Sequence, residues 1–68
     1  MKISARNQIR GTIKSVKKGQ TTAHVEIDAN GTTITASITN ESVDALGLKA
    51  GQAACAVIKA SDVMVAID

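Results

Sequence analysis

The stretch from Thr21 to Thr39 reads TTAHVEIDANGTTITASIT. Thr21, Ala23, Val25 and Ile27 fall on one side of a two-residue period, and Thr22, His24, Glu26 and Asp28 on the other. Alternation of this length predicts a strand with one buried face. Asn30-Gly31 follows, two residues that accept positive φ, as a tight hairpin turn requires. A return strand is expected beyond it, with Ile34, Ala36 and Ile38 inward and Thr33, Thr35, Ser37 and Thr39 on an outer pleated surface that suits threonine.

Upstream, Ile9, Gly11 and Ile13 alternate with Arg10, Thr12 and Lys14, which predicts a first strand. The phase slips at Ser15 and Val16, the mark of a bulge, and a turn is expected at Lys17, Lys18 and Gly19. Downstream, a short helix is expected. Thr39 or Asn40 can cap it, Glu41 and Asp44 suit its positive end, and Gly47 can end it. A turn centred on Gly51 leads to Ala53–Ile58, apolar on both faces, and then to Val63–Ile67, nearly so. Strands apolar on both faces need cover on both. The whole predicts an all-β class: one domain over residues 1–68, a small five-stranded barrel of the oligonucleotide/oligosaccharide-binding type with one short helix after the third strand.

Composition narrows what such a barrel can be. A chain of 68 residues buries only roughly 60% of its unfolded surface, so it needs added support. Cys55 is the lone cysteine, which excludes an internal disulfide, and with His24 it falls short of the about four ligands of a structural zinc site. There is no Phe, Tyr or Trp to supply large buried areas. Oligomerisation is the support that remains. Met1–Gln8 is polar and no apolar run approaches the ~18 residues of a membrane span, so a cytoplasmic protein with no membrane partner is expected. A formal net charge of +2 does not by itself argue for nucleic acid.

No enzyme signature stands out: no phosphate-loop glycines, no metal-ligand spacing, no nucleophile with its base. The expectation is a non-enzyme with no site for a bare metal cation. His24 has an ordinary explanation as a solvated strand residue, Cys55 as a core thiol, and Lys17-Lys18 as a hairpin end. Three polar segments remain: Ser4-Ala5-Arg6-Asn7-Gln8, the Thr39–Ser42 helix start, and Lys59-Ala60-Ser61. Singly they read as a terminus, a cap and a turn. Together they hold donors only, which is what a tetrahedral dianion needs, since it offers four acceptor oxygens and no proton. Arg6 and Lys59 bring charge, Ser4, Thr39 and Ser42 hydroxyls, and backbone amides fixed dipoles. The carboxylates in or next to these segments are Glu41 and Asp62, both of which can point outward.

SARNQ at Ser4–Gln8 with Ile9-Arg10-Gly11, ITNESVDALGLKAGQ at Ile38–Gln52, and VIKASDVMVAI at Val57–Ile67 together resemble the molbindin (Mop) family of molybdate- and tungstate-binding domains. The length resembles the single-domain members rather than the regulators that carry a DNA-binding region. The resemblance implies an OB-like (TOBE-type) fold assembled as a hexamer, a trimer of dimers, that binds, stores and buffers molybdate or tungstate at subunit interfaces. Carried over by position, it places Ser4, Ala5 and Arg6 of one subunit against the anion. Thr39, Ser42, Lys59 and Ala60 would come from a neighbour, with Ala60 acting through its backbone. The family also has a second class of site near the threefold axis, for which His24 is a candidate only because a strand-face histidine is unusual in this composition. The competing reading, a nucleic-acid-binding OB module, lacks the aromatic side chains that contribute ~1–3 kcal/mol per base by stacking. A purely structural interaction module is the blander alternative.

Overall fold

A computed structural model describes all of residues 1–68. Four strands form one antiparallel sheet: β1 (Asn7–Lys18), β2 (Thr22–Ala29), β3 (Thr32–Thr39) and β4 (Ala53–Ile58), in the order β3-β2-β1-β4. A single helix, α1 (Asn40–Leu46), follows β3, and a 3-10 turn spans Ala60–Asp62.

The β2–β3 hairpin forms as the alternation predicts. Ala23, Val25, Ile27 and Ala29 are buried, while Thr22 and His24 face solvent. Asn30 and Gly31 turn the chain with φ of 54° and 93°, and Asp28 Oδ1 accepts from the Gly31 N–H at 3.0 Å. The register pairs Ile27 with Ile34, Val25 with Ala36 and Ala23 with Ile38, so both inward rows share one face.

β1 is the long element, and it serves two partners. Its first half pairs with β4 from Asn7↔Ile58 to Thr12↔Ala53, and its second half with β2 from Thr12↔Asp28 to Lys18↔Ala23. The register slips between Ile13 and Ser15, which makes Lys14 the extra residue, just upstream of the phase slip in the pattern. A bulge there bends the strand while keeping Ile13 inward and Val16 opposite Val25. The strand also runs through Lys17 and Lys18. The turn falls after them, closed by the Gly19 N–H donating to the Thr22 carbonyl at 2.7 Å.

Ile13, Ala23, Val25, Ile27, Val43 and Ala56 form the core, so one helical residue and three strands share it. Thr39 caps α1 by accepting from the Ser42 N–H at 3.0 Å, and Gly47 ends it at φ 63°. Asn40 ties the helix start to the β1–β2 turn, through its N–H to Thr21 O and its Nδ2 to Gly19 O, both 2.9 Å.

The expected fifth strand is not formed. Val63–Ile67 pairs with no strand, and Met64, Val65 and Ile67 are each at least 90% exposed. β3 and β4 are the two free edges of the sheet, and between them lies an open apolar cleft of about 520 Å³ reached by Ile34, Ile38, Leu46, Leu48 and Ile58. The class is therefore mostly β with four strands, and the barrel stays open on this side. The physical reason is pairing: the last apolar segment leaves the sheet through the 3-10 turn and pairs with neither free edge of its own chain.

Candidate functional site

The antiparallel pairing of β1 with β4 decides where the polar segments go. Because Asn7 faces Ile58, the residues just before β1 and just after β4 leave the sheet at the same end. There they line an open concavity of about 600 Å³, with Ser4, Ala5, Arg6, Lys59 and Ala60 from the expected set, joined by Ile3, Val57, Ser61 and Asp62. Two amides of the SARNQ stretch hold its wall. Asn7 Nδ2 donates to the Ile58 carbonyl at 3.1 Å, across to the departing strand, and Gln8 Nε2 donates to the Ala5 carbonyl at 3.0 Å. Asn7 and Gln8 are thus builders of the loop that presents Arg6. Neither Arg6 nor Lys59 forms an ion pair, since the one salt bridge of the molecule joins Lys18 to Asp44. Two cations without an ion-pair partner, against one lining carboxylate at Asp62, leave the hollow net positive and attractive to an anion.

Within one chain the Arg6 and Lys59 segments line the same concavity, for the pairing reason just given. Thr39 and Ser42 are not brought into it. Thr39 pairs with Thr22 at the far end of β1, and at roughly 3.3 Å per residue the twelve-residue strand keeps the two places tens of ångströms apart. The Thr39 hydroxyl is also occupied locally, accepting from Ser42 N and donating to Ser42 Oγ at 2.8 Å.

Asp62 also belongs to the lining, because the 3-10 turn keeps it beside Lys59, and Ser61 of the Lys59-Ala60-Ser61 segment adds a hydroxyl. His24 lines a second, wholly polar hollow of about 370 Å³ with Lys17, Lys18, Gly19 and Thr22, where Lys18 is already engaged by Asp44. No three His, Cys, Asp or Glu side chains converge as a bare cation would require. No helix is long and apolar enough to cross a membrane.

Residues 3–65 match the TOBE domain family model. The chain is 47% identical over 66 residues to molybdenum-pterin-binding protein 3 of Clostridium pasteurianum, covering 96% of this chain and 97% of that one. Among solved structures, a molybdate-binding protein from Sporomusa ovata superposes with a TM-score of 0.94 at 39% identity, covering 98% of this chain and all of that one. The cytoplasmic molybdate-binding protein ModG, in a form with molybdate bound, gives a TM-score of 0.89 at 46% identity over 94% of this chain and 46% of its own. The chain belongs to the TOBE domain family and, within it, to the molbindin (Mop) proteins.

Proposed function

We propose that the protein binds molybdate or tungstate as an intact oxyanion in the concavity built by Ser4–Arg6 and Lys59-Ala60, and that it stores and buffers the anion in the cytoplasm without transforming it. The observation that carries this reading is the meeting of Arg6 and Lys59, free of carboxylate partners, at one end of the β1–β4 pair. Their two positive charges attract a dianion, and the serine hydroxyls and loop amides supply further donors. Relatives named for molybdenum-pterin or molybdate binding, at 39–47% identity over nearly the whole chain, support the choice of ligand. The larger molybdate reaches more donors than sulfate does.

The working unit is a homo-oligomer, a hexamer arranged as a trimer of dimers. Three things support assembly: an apolar segment at Val63–Ile67 left in solvent, an apolar cleft between two unpaired sheet edges, and a concavity whose Arg6 and Lys59 are exposed. A second copy laying its last segment into the cleft would satisfy the free edges and bury the tail. The same packing is what could bring Thr39 and Ser42 of a neighbour to Arg6, which a single chain cannot do.

The test is calorimetric titration of the isolated protein with molybdate, tungstate and sulfate, alongside native mass measurement. Saturable heat with the two larger anions, weak or no heat with sulfate, and a six-subunit mass are expected. No heat with molybdate or tungstate refutes the binding reading, and a monomer refutes the assembly.

A further inference from the structure

We propose that Asp62 limits how tightly the concavity holds its anion, an inference that rests on the oxyanion reading above. Asp62 is the one carboxylate among the lining residues, and it shares the hollow with Arg6 and Lys59. Its backbone N–H closes the 3-10 turn onto the Lys59 carbonyl at 2.9 Å, which keeps residue 62 next to the lysine that precedes the turn. The side chain itself holds nothing. It forms no ion pair and accepts no hydrogen bond, while the ion pair of the molecule lies elsewhere, at Lys18 and Asp44.

The charge count follows. Two cations and one carboxylate leave the empty hollow at plus one, and a dianion takes it to minus one. A fully deprotonated oxyanion has no hydrogen to give a carboxylate, so Asp62 meets it only by repulsion. This loosens the site without changing its donors. A storage protein has to release its cargo, and a repulsive group at the rim shortens the bound lifetime. Because the term depends on charge alone, it weakens molybdate and tungstate equally.

The experiment titrates sodium molybdate into wild-type protein and the Asp62→Asn variant, at low and at high ionic strength. For a carboxylate on the order of 8 Å from the ion in a water-like dielectric, the variant binds about fivefold more tightly at low salt. That gain shrinks toward about twofold or less near physiological ionic strength and above. Asparagine keeps the size and shape of the side chain. If the variant fails to melt like wild type without ligand, Asp62→Ser serves in its place. Asp44→Asn, which removes a carboxylate outside the hollow, should leave the affinity unchanged. Equal or weaker binding by the Asp62 variants overturns the inference, as does an equal gain from Asp44→Asn, which would make the effect one of net charge. Wild-type protein that does not bind molybdate at all overturns the oxyanion reading instead.

Discussion

Gly11 stands where β1 changes partners, opposite Ala54 of β4 and one residue before Thr12, which faces Ala53 and Asp28 together. A β-carbon added there would lie 2.4 Å from the Asp28 carbonyl oxygen and 2.8 Å from Ile27 Cγ2. Favourable contact lies near 3.5 Å, so the β2 backbone must retreat by about 1 Å. A carbonyl inside a paired sheet cannot swing aside as a side-chain tip does. Overpacking of this kind costs about 2–3 kcal/mol, even after alanine's smaller loss of chain entropy is allowed for. In a chain of this size that lowers the melting temperature of Gly11→Ala by about 10–20 °C. Gly47→Ala is the matched control: its φ is positive but nothing lies near its β-carbon, so its cost is the left-handed strain alone, about 1 kcal/mol. Thermal melts at one protein concentration, since assembly makes the midpoint depend on it, compare the two. A Gly11→Ala protein that melts with the wild type, or above Gly47→Ala, refutes the steric argument.

Other outcomes follow from the site and the edges. Arg6→Ala and Lys59→Ala each weaken molybdate binding by ~2–5 kcal/mol by calorimetry; near-native affinity in both would remove these side chains from the site. Thr39→Ala removes a cap and lowers stability by about 1 kcal/mol in urea unfolding, and any loss of affinity beyond that effect marks a ligand role in the assembled protein. Val65→Asp, a change in a side chain 90% exposed in the single chain, should leave the chain folded but reduce the sedimenting mass. An unchanged mass would show that the last segment is not an assembly element.

What the sequence made legible was local. Asn30-Gly31 and the flanking alternation specify the β2–β3 hairpin to within a residue at each strand end, and Thr39 with Gly47 marks both ends of α1. The bulge was less sharp. A slip in phase is visible only once the pattern resumes, so it reads at Ser15–Val16 although Lys14 is the residue displaced. The strand through Lys17 and Lys18 was hidden because charge suggests a turn, whereas those side chains face solvent from an extended backbone. Arg6 and Lys59 were recognisable as anion-binding types. Their meeting within one chain was not, because it depends on which strand pairs with β1 and in what register. That Asp62 joins the lining was not legible for a related reason: a three-residue turn, with no periodic signal, places it beside Lys59. The terminal strand could not be completed because an apolar segment specifies that it needs a partner but not which chain supplies it.

The pairing of Asn7 with Ile58 has one more consequence. The hollow joins the points where the chain enters and leaves its sheet, so an ion held by both Arg6 and Lys59 acts as a detachable clasp across a loop of roughly fifty residues. Because the ion binds the folded chain and leaves the unfolded one, it stabilises by mass action, the more so the higher the anion concentration. Cargo and mechanical integrity are then coupled: a filled protein frays last where an empty one frays first, and slow amide exchange at Gln8 and Val57 would report the clasp closed.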